Sequence, residues 1–166
     1  MRQYALVIIY TSNDEVKELA NRKLGDVGLE ITSGVMISWH ARQDLEGRIM
    51  SIKDELVKIM EGGFEGEFAY AIVELTDEQF RAVRPLVVRR LEVEDKRLLT
   101  YGENLLKRMR SRLNNRVRRE YGRFDRQYRR LIMLHNIFDV KHELLNRVMD
   151  LARELRIEYE RRHKEN

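Results

Sequence analysis

Hydrophobic spacing changes period several times along the first 75 residues. Residues 4–11, YALVIIYT, are β-branched and aromatic and run into Thr11-Ser12-Asn13-Asp14, which predicts a strand followed by a capped helix. Val16, Leu19, Ala20 and Leu24 recur at helical spacing, and Gly25 supplies a stop. Between Gly28 and Trp39, the short runs GLEI and VMISW flank Thr32-Ser33-Gly34, a hairpin signal. Leu45, Ile49, Ile52, Leu56 and Ile59 form one buried helical stripe, which Gly62-Gly63 ends. Glu67 to Leu75, EFAYAIVEL, predicts a last strand. The order is β-α-β-β-α-β, so residues 1–75 are expected to form a ferredoxin-like domain.

Both faces of the first strand are apolar, Leu6 and Ile8 on one side and Val7 and Ile9 on the other. The last strand repeats this, with Phe68, Tyr70 and Ile72 opposite Ala69, Ala71 and Val73. Two helices cover only one face of such a sheet, so the other calls for the C-terminal helices or a second subunit.

From residue 76 the pattern is helical. Thr76 with Gln79 reads as a capping box, and Pro85 is expected to interrupt that helix after a couple of turns. A longer helix is predicted from about Leu86 to Met109 over Leu91, Leu98, Leu99, Leu105 and Leu106, with a break at Asn114-Asn115. Val117, Tyr121, Phe124, Tyr128 and Leu131 give the next stripe. Asp139 is expected to cap a final helix that runs through Glu160 over Leu144, Val148, Leu151 and Leu155. The fold class is therefore α+β, a ferredoxin-like half followed by a helical region over 76–166.

Charge sharpens this picture. Between Lys107 and Arg130 stand eleven basic residues against two acidic ones, a net +9, so the rest of a chain of formal charge +4 carries −5. Ten of the eleven are arginine, whose planar fork suits bidentate contact with phosphate. Arg112, Arg116, Arg119, Arg123, Arg126 and Arg130 follow a 4-3-4-3-4 spacing and are expected to share one helical face, one residue over from the apolar stripe. This ridge points to a nucleic-acid partner, duplex DNA first. The competing arrangement pairs it with Glu92, Glu94, Asp95, Glu103, Glu143, Asp150 and Glu154 of neighbouring helices. Tyr121, Phe124 and Tyr128 interleave with the arginines, but their spacing assigns them to the core.

Other chemistry finds little support. With no cysteine there is no disulfide, thiol nucleophile or thiolate-held metal. His135 and His142 belong to no HExxH-type motif, so neither a metal nor a cofactor is expected. Gly62-Gly63-Phe64-Glu65-Gly66 lacks the Lys-Ser/Thr of a phosphate loop and reads as a turn, and no nucleophile–base pair can be named. The apolar run Tyr4–Tyr10 is too short for a signal-peptide core or a membrane span, which predicts a cytoplasmic protein with no membrane partner.

Three segments carry a family resemblance: Gly25-Asp26-Val27-Gly28-Leu29 with Gly34-Val35-Met36-Ile37, the acidic stretch RLEVEDKRLLTYGENLL ending at Leu106, and YRRLIMLHNIF from Tyr128 to Phe138. They resemble the N-terminal domain of ChrB, the regulator family associated with chromate resistance. The resemblance implies a DNA-binding role in transcription regulation, a ferredoxin-like half and trailing helices. More distantly, the chain is similar to the ferredoxin-like dimerisation domain of PaaX-type repressors and to the small nuclease-like subunit of CRISPR spacer acquisition. In the latter the first strand ends in a metal-binding aspartate, whereas here it runs Ile9-Tyr10-Thr11-Ser12 and Asp14 lies beyond it. The expectation is a homodimeric DNA-binding regulator, with enzyme activity left open but supported by no residue pattern. Two alternatives stand beside it: an assembly module for an acidic protein partner, and a metal-dependent nuclease using Asp14.

Overall fold

The computed structural model describes residues 3–61, without the side chain of Met60, and 67–164. The glycine turn at 62–66 lies outside them. Among the described residues the chain is a mixed α+β protein, mostly helical, with one four-stranded antiparallel sheet and five helices. In order these are β1 (Tyr4–Thr11), α1 (Asp14–Leu24), β2 (Gly28–Thr32), β3 (Val35–Ser38), α2 (Arg42–Glu61), β4 (Phe68–Leu75), α3 (Asp77–Ser111), α4 (Asn115–Phe138) and α5 (Glu143–Lys164). The chain divides into two compact units, Met1–Val87 and Val88–Asn166, and the division falls inside α3.

In the first unit the strands lie in the order β2-β3-β1-β4. Val7 pairs with Met36 on one side and Ile72 on the other, which puts these residues on one face with Ala5 and Ile9. That face is closed by Val16, Leu19, Ala20 and Leu24 of α1 and by Leu45, Ile49, Ile52 and Leu56 of α2. Each buried leucine or isoleucine there contributes about 1.5–3 kcal/mol. Ile59 departs from the expected stripe, standing 38% exposed near the end of α2. Asn13 caps α1 by accepting from the backbone N–H groups of Glu15 and Val16. Gly34 turns the β2–β3 hairpin at φ 75°, and its carbonyl accepts from Ile9 N at 2.7 Å, fastening the hairpin tip to β1.

The opposite face carries Leu6 and Ile8, paired with Val73 and Ala71 of β4. Its Tyr4 end is met by the start of α3, where Tyr4 stacks on Phe80 with centroids 4.0 Å apart. The capping box opening that helix forms as its sequence suggests: Thr76 N donates to Gln79 Oε1 and Gln79 N to Thr76 Oγ1. Ile8, Tyr10 and Val73 remain exposed at 39%, 60% and 41%.

The second unit packs the later part of α3 with α4 and α5. Leu91, Leu98, Leu105 and Met109 of α3, Val117, Phe124 and Leu131 of α4, and Val148, Leu151 and Leu155 of α5 are buried. Tyr121 stacks on Tyr159, and Phe124 on Tyr128, so the interleaved aromatics are packing residues.

Three expectations need correction. Pro85 does not interrupt the helix, because α3 runs through it from Asp77 to Ser111. Pro85 is exposed, so the Arg81 carbonyl that its missing N–H leaves free lies on the same helical face, toward water. Asp139 does not begin α5. It ends α4 in the left-handed conformation, φ 49° and ψ 50°, with its N–H on the His135 carbonyl. Aspartate is one of the few residues that adopts this conformation at modest cost. Arg112, finally, lies in the link between α3 and α4 and not on the arginine helix, because Asn114 caps α4 through Val117 N.

Candidate nucleic-acid interface and a buried Asp-His-His cluster

Arg116, Arg119, Arg123, Arg126 and Arg130 project from a single helix, α4, and all of them, like Arg112 before it, are exposed. At about 100° per residue the five helical arginines fall within an arc of about 80°, centred about 120° from the buried row of Val117, Phe124 and Leu131. The ridge therefore faces more directly away from the core than a quarter-turn offset suggests.

Arg116 pairs with Glu120 at 3.2 Å, and the same carboxylate takes Arg108 at 2.9 Å. Among the described residues no carboxylate lies within 4.0 Å of Arg112, Arg119, Arg123, Arg126 or Arg130. Four of the seven acids that were candidates to neutralise the row are engaged elsewhere: Glu94 with Arg90 and Arg97, Glu154 with Arg110, Asp150 with Arg153, and Asp95 with His135 and His142. Successive arginines three and four residues apart repel by roughly 0.2–0.5 kcal/mol per pair. Among the described residues the one ion pair of the helical row, Arg116 with Glu120, offsets that repulsion at its first position.

The same unit holds a second polar constellation inside its core. Asp95 on α3 has a side chain 0% exposed, His135 on α4 one 2% exposed, and His142, just before α5, one 17% exposed. Asp95 Oδ2 lies 3.1 Å from His135 Nε2 and 2.9 Å from His142 Nε2. The two imidazoles meet edge to face at 5.1 Å. His135 Nδ1 donates to the Val140 carbonyl at 2.9 Å, while the His135 carbonyl accepts from Asp139 and Val140 N–H groups. The left-handed turn at Asp139 thus sets the orientation of the ring. Burial works against a charged His135, but the hydrogen bonds to Asp95 and Val140 outweigh it and hold its pKa above the ordinary value. His142 Nδ1 accepts from Leu145 N over 3.4 Å, which makes His142 the cap of α5.

Comparison with protein-family models, curated proteins and solved structures finds no match. The site has to be read from its own geometry.

Asp14, the candidate nuclease residue, has a side chain 93% exposed and pairs with Lys17 at 3.0 Å. Among the described residues the one group of three or more metal-ligating side chains is Asp95, His135 and His142. Sequence spacing did not assemble this group, since its members are 40 and 7 positions apart on different elements. A signal existed in the stripes themselves. Leu91, Asp95, Leu98, Gly102, Leu105 and Met109 repeat at 4-3-4-3-4, and His135 extends the row of Phe124, Tyr128 and Leu131 by one step. A polar residue at a core position of each of two helices marks a buried pair.

Proposed function

We propose that the chain is a nucleic-acid-binding regulatory protein whose α4 arginines contact the phosphates of duplex DNA. The observation that carries this reading is the exposed row of arginines, of which all but Arg116 stand without a carboxylate partner among the described residues. From Arg116 to Arg130 the row extends about 21 Å at 1.5 Å per residue. One DNA strand presents a phosphate about every 3.4 Å of axis, so such a length runs past about six phosphates. Guanidinium groups pair with these oxygens in bidentate fashion, and release of the condensed counterions drives the association.

The regulatory part of the proposal rests on the resemblance to the ChrB N-terminal domain. The order β2-β3-β1-β4 with antiparallel neighbours supports a ferredoxin-like reading of the first unit. The exposed Ile8, Tyr10 and Val73 favour a homodimer formed through that face of the sheet. An acidic protein partner would use the same arginine row. Asp14, solvent-facing and paired with Lys17, joins no metal-ligating group among the described residues, which leaves the nuclease reading without support.

The test is the combined reversal Arg119→Glu, Arg123→Glu and Arg126→Glu. We expect duplex affinity to fall about 100-fold or more, since each lost charged hydrogen bond is worth about 1.5–3 kcal/mol before screening. Reversal of Arg42, which pairs with Glu46 in the other unit, is expected to change it little. Unchanged affinity in the triple variant, measured by fluorescence anisotropy, removes this surface from consideration.

A further inference from the structure

We propose that Asp95, His135 and His142 form a binding site for a divalent first-row transition metal, Zn2+ being the ion that fits best, which ties α3, α4 and α5 together. Each residue offers one ligand atom, and the three atoms lie within 4.8 Å of one another. Ligands about 2.0–2.1 Å from a tetrahedral Zn2+ are about 3.3 Å apart. The observed 3.1 Å and 2.9 Å separations need to open by a few tenths of an ångström, and the two imidazole nitrogens, at most 4.8 Å apart, to close by up to about 1.5 Å.

Two details of hydrogen bonding point to a cation. Val140 offers His135 a carbonyl, so Nδ1 must carry a proton; a neutral ring then turns the lone pair of Nε2 toward the Asp95 carboxylate. Two acceptors face each other there unless a proton or a metal ion stands between them. A histidine oriented by an Nδ1–H bond to a backbone carbonyl is the usual supporting arrangement of a metal ligand. His142 Nε2 is buried and, although 2.9 Å from Asp95 Oδ2, is not aligned to hydrogen-bond with it. Ligation through this atom moves the His142 proton to Nδ1 and gives up the long contact from Leu145 N, one weak hydrogen bond against a metal bond.

The donor set selects the ion. Two imidazoles disfavour Ca2+ and Mg2+, which take oxygen ligands, and suit Zn2+ and its neighbours. Three protein ligands leave a fourth position for water, reached from the His142 side, since that is the one member with appreciable exposure. So enclosed a site favours a structural role, in which metal affinity adds to the stability of the folded chain.

The experiment uses the untagged full chain, freed of metal with a chelator and titrated with Zn2+ by calorimetry and with Co2+ by visible absorption. One ion per chain is expected, with Co2+ bands of a low-symmetry nitrogen–oxygen site that Zn2+ displaces and a melting midpoint that rises with Zn2+ concentration. Long-range 1H–15N spectra of a His40→Gln, His163→Gln chain are expected to show both remaining imidazoles shifting. Asp95→Asn should weaken binding about 100-fold or more. No saturable binding, or binding lost with His40 and His163, overturns the proposal. Should Asp95→Asn fail to fold, the imidazole spectra of the double variant decide.

Discussion

At Gly102 the helices of the second unit come close enough that a side chain has no room. A Cβ there would lie 2.7 Å from Leu151 Cδ2 and 2.7 Å from Phe124 Cε2. Alanine favours a helix by about 1 kcal/mol over glycine, but overpacking a closed core costs about 1–3 kcal/mol. With two buried neighbours obstructing at once, the steric cost wins. We expect Gly102→Ala to lower stability by about 1–2 kcal/mol in denaturant unfolding. Gly122, on α4, supplies the contrast, because its nearest obstruction is Arg126 Nη1 at 3.7 Å. Gly122→Ala should therefore raise stability by about 0.5–1 kcal/mol. If both substitutions shift the unfolding midpoint in the same direction, the packing of the second unit is not as described.

At the scale of elements, much was legible because amphipathic spacing is a direct record of burial. The stripe of α1 named all four of its buried residues, and that of α4 named Val117, Phe124 and Leu131 but not Leu134, His135, Ile137 or Phe138 of its last turn and a half. What escaped has a physical reason in each case. Pro85 stops a helix by local rules, yet α3 gains from the packing of Leu91 through Met109 beyond it, and water can take up the carbonyl left free. Pro85→Ala should then stabilise the chain by up to about 3 kcal/mol, read from the midpoint of denaturation at unchanged m-value. A destabilised variant would mean that the helix is bent there to native advantage. Asp139 reads equally well as a helix start or a left-handed stop, and only its bond to His135 decides. Asp95 and His135 hide among apolar neighbours of two separate stripes, so the cluster becomes visible only when those stripes meet.

For the whole molecule, the +9 charge between Lys107 and Arg130 set against −5 elsewhere makes the chain bipolar. Ion pairs consume acids in the second unit but reach the outer row of α4 only at Arg116, so most of its excess charge is not cancelled by ion pairs among the described residues. Exposed charges interact with a distant polyanion through a screened field with a reach of about 8–10 Å at ordinary salt, which makes ionic strength the natural variable. The decisive measurement is the affinity of the full chain for a mixed-sequence DNA duplex, by fluorescence anisotropy, across a series of salt concentrations without divalent metal. If five or six arginines of this row meet phosphates, log affinity against log salt falls with a slope of about −5. A slope near zero, or no binding even at low salt, would contradict the reading of α4 as a nucleic-acid interface.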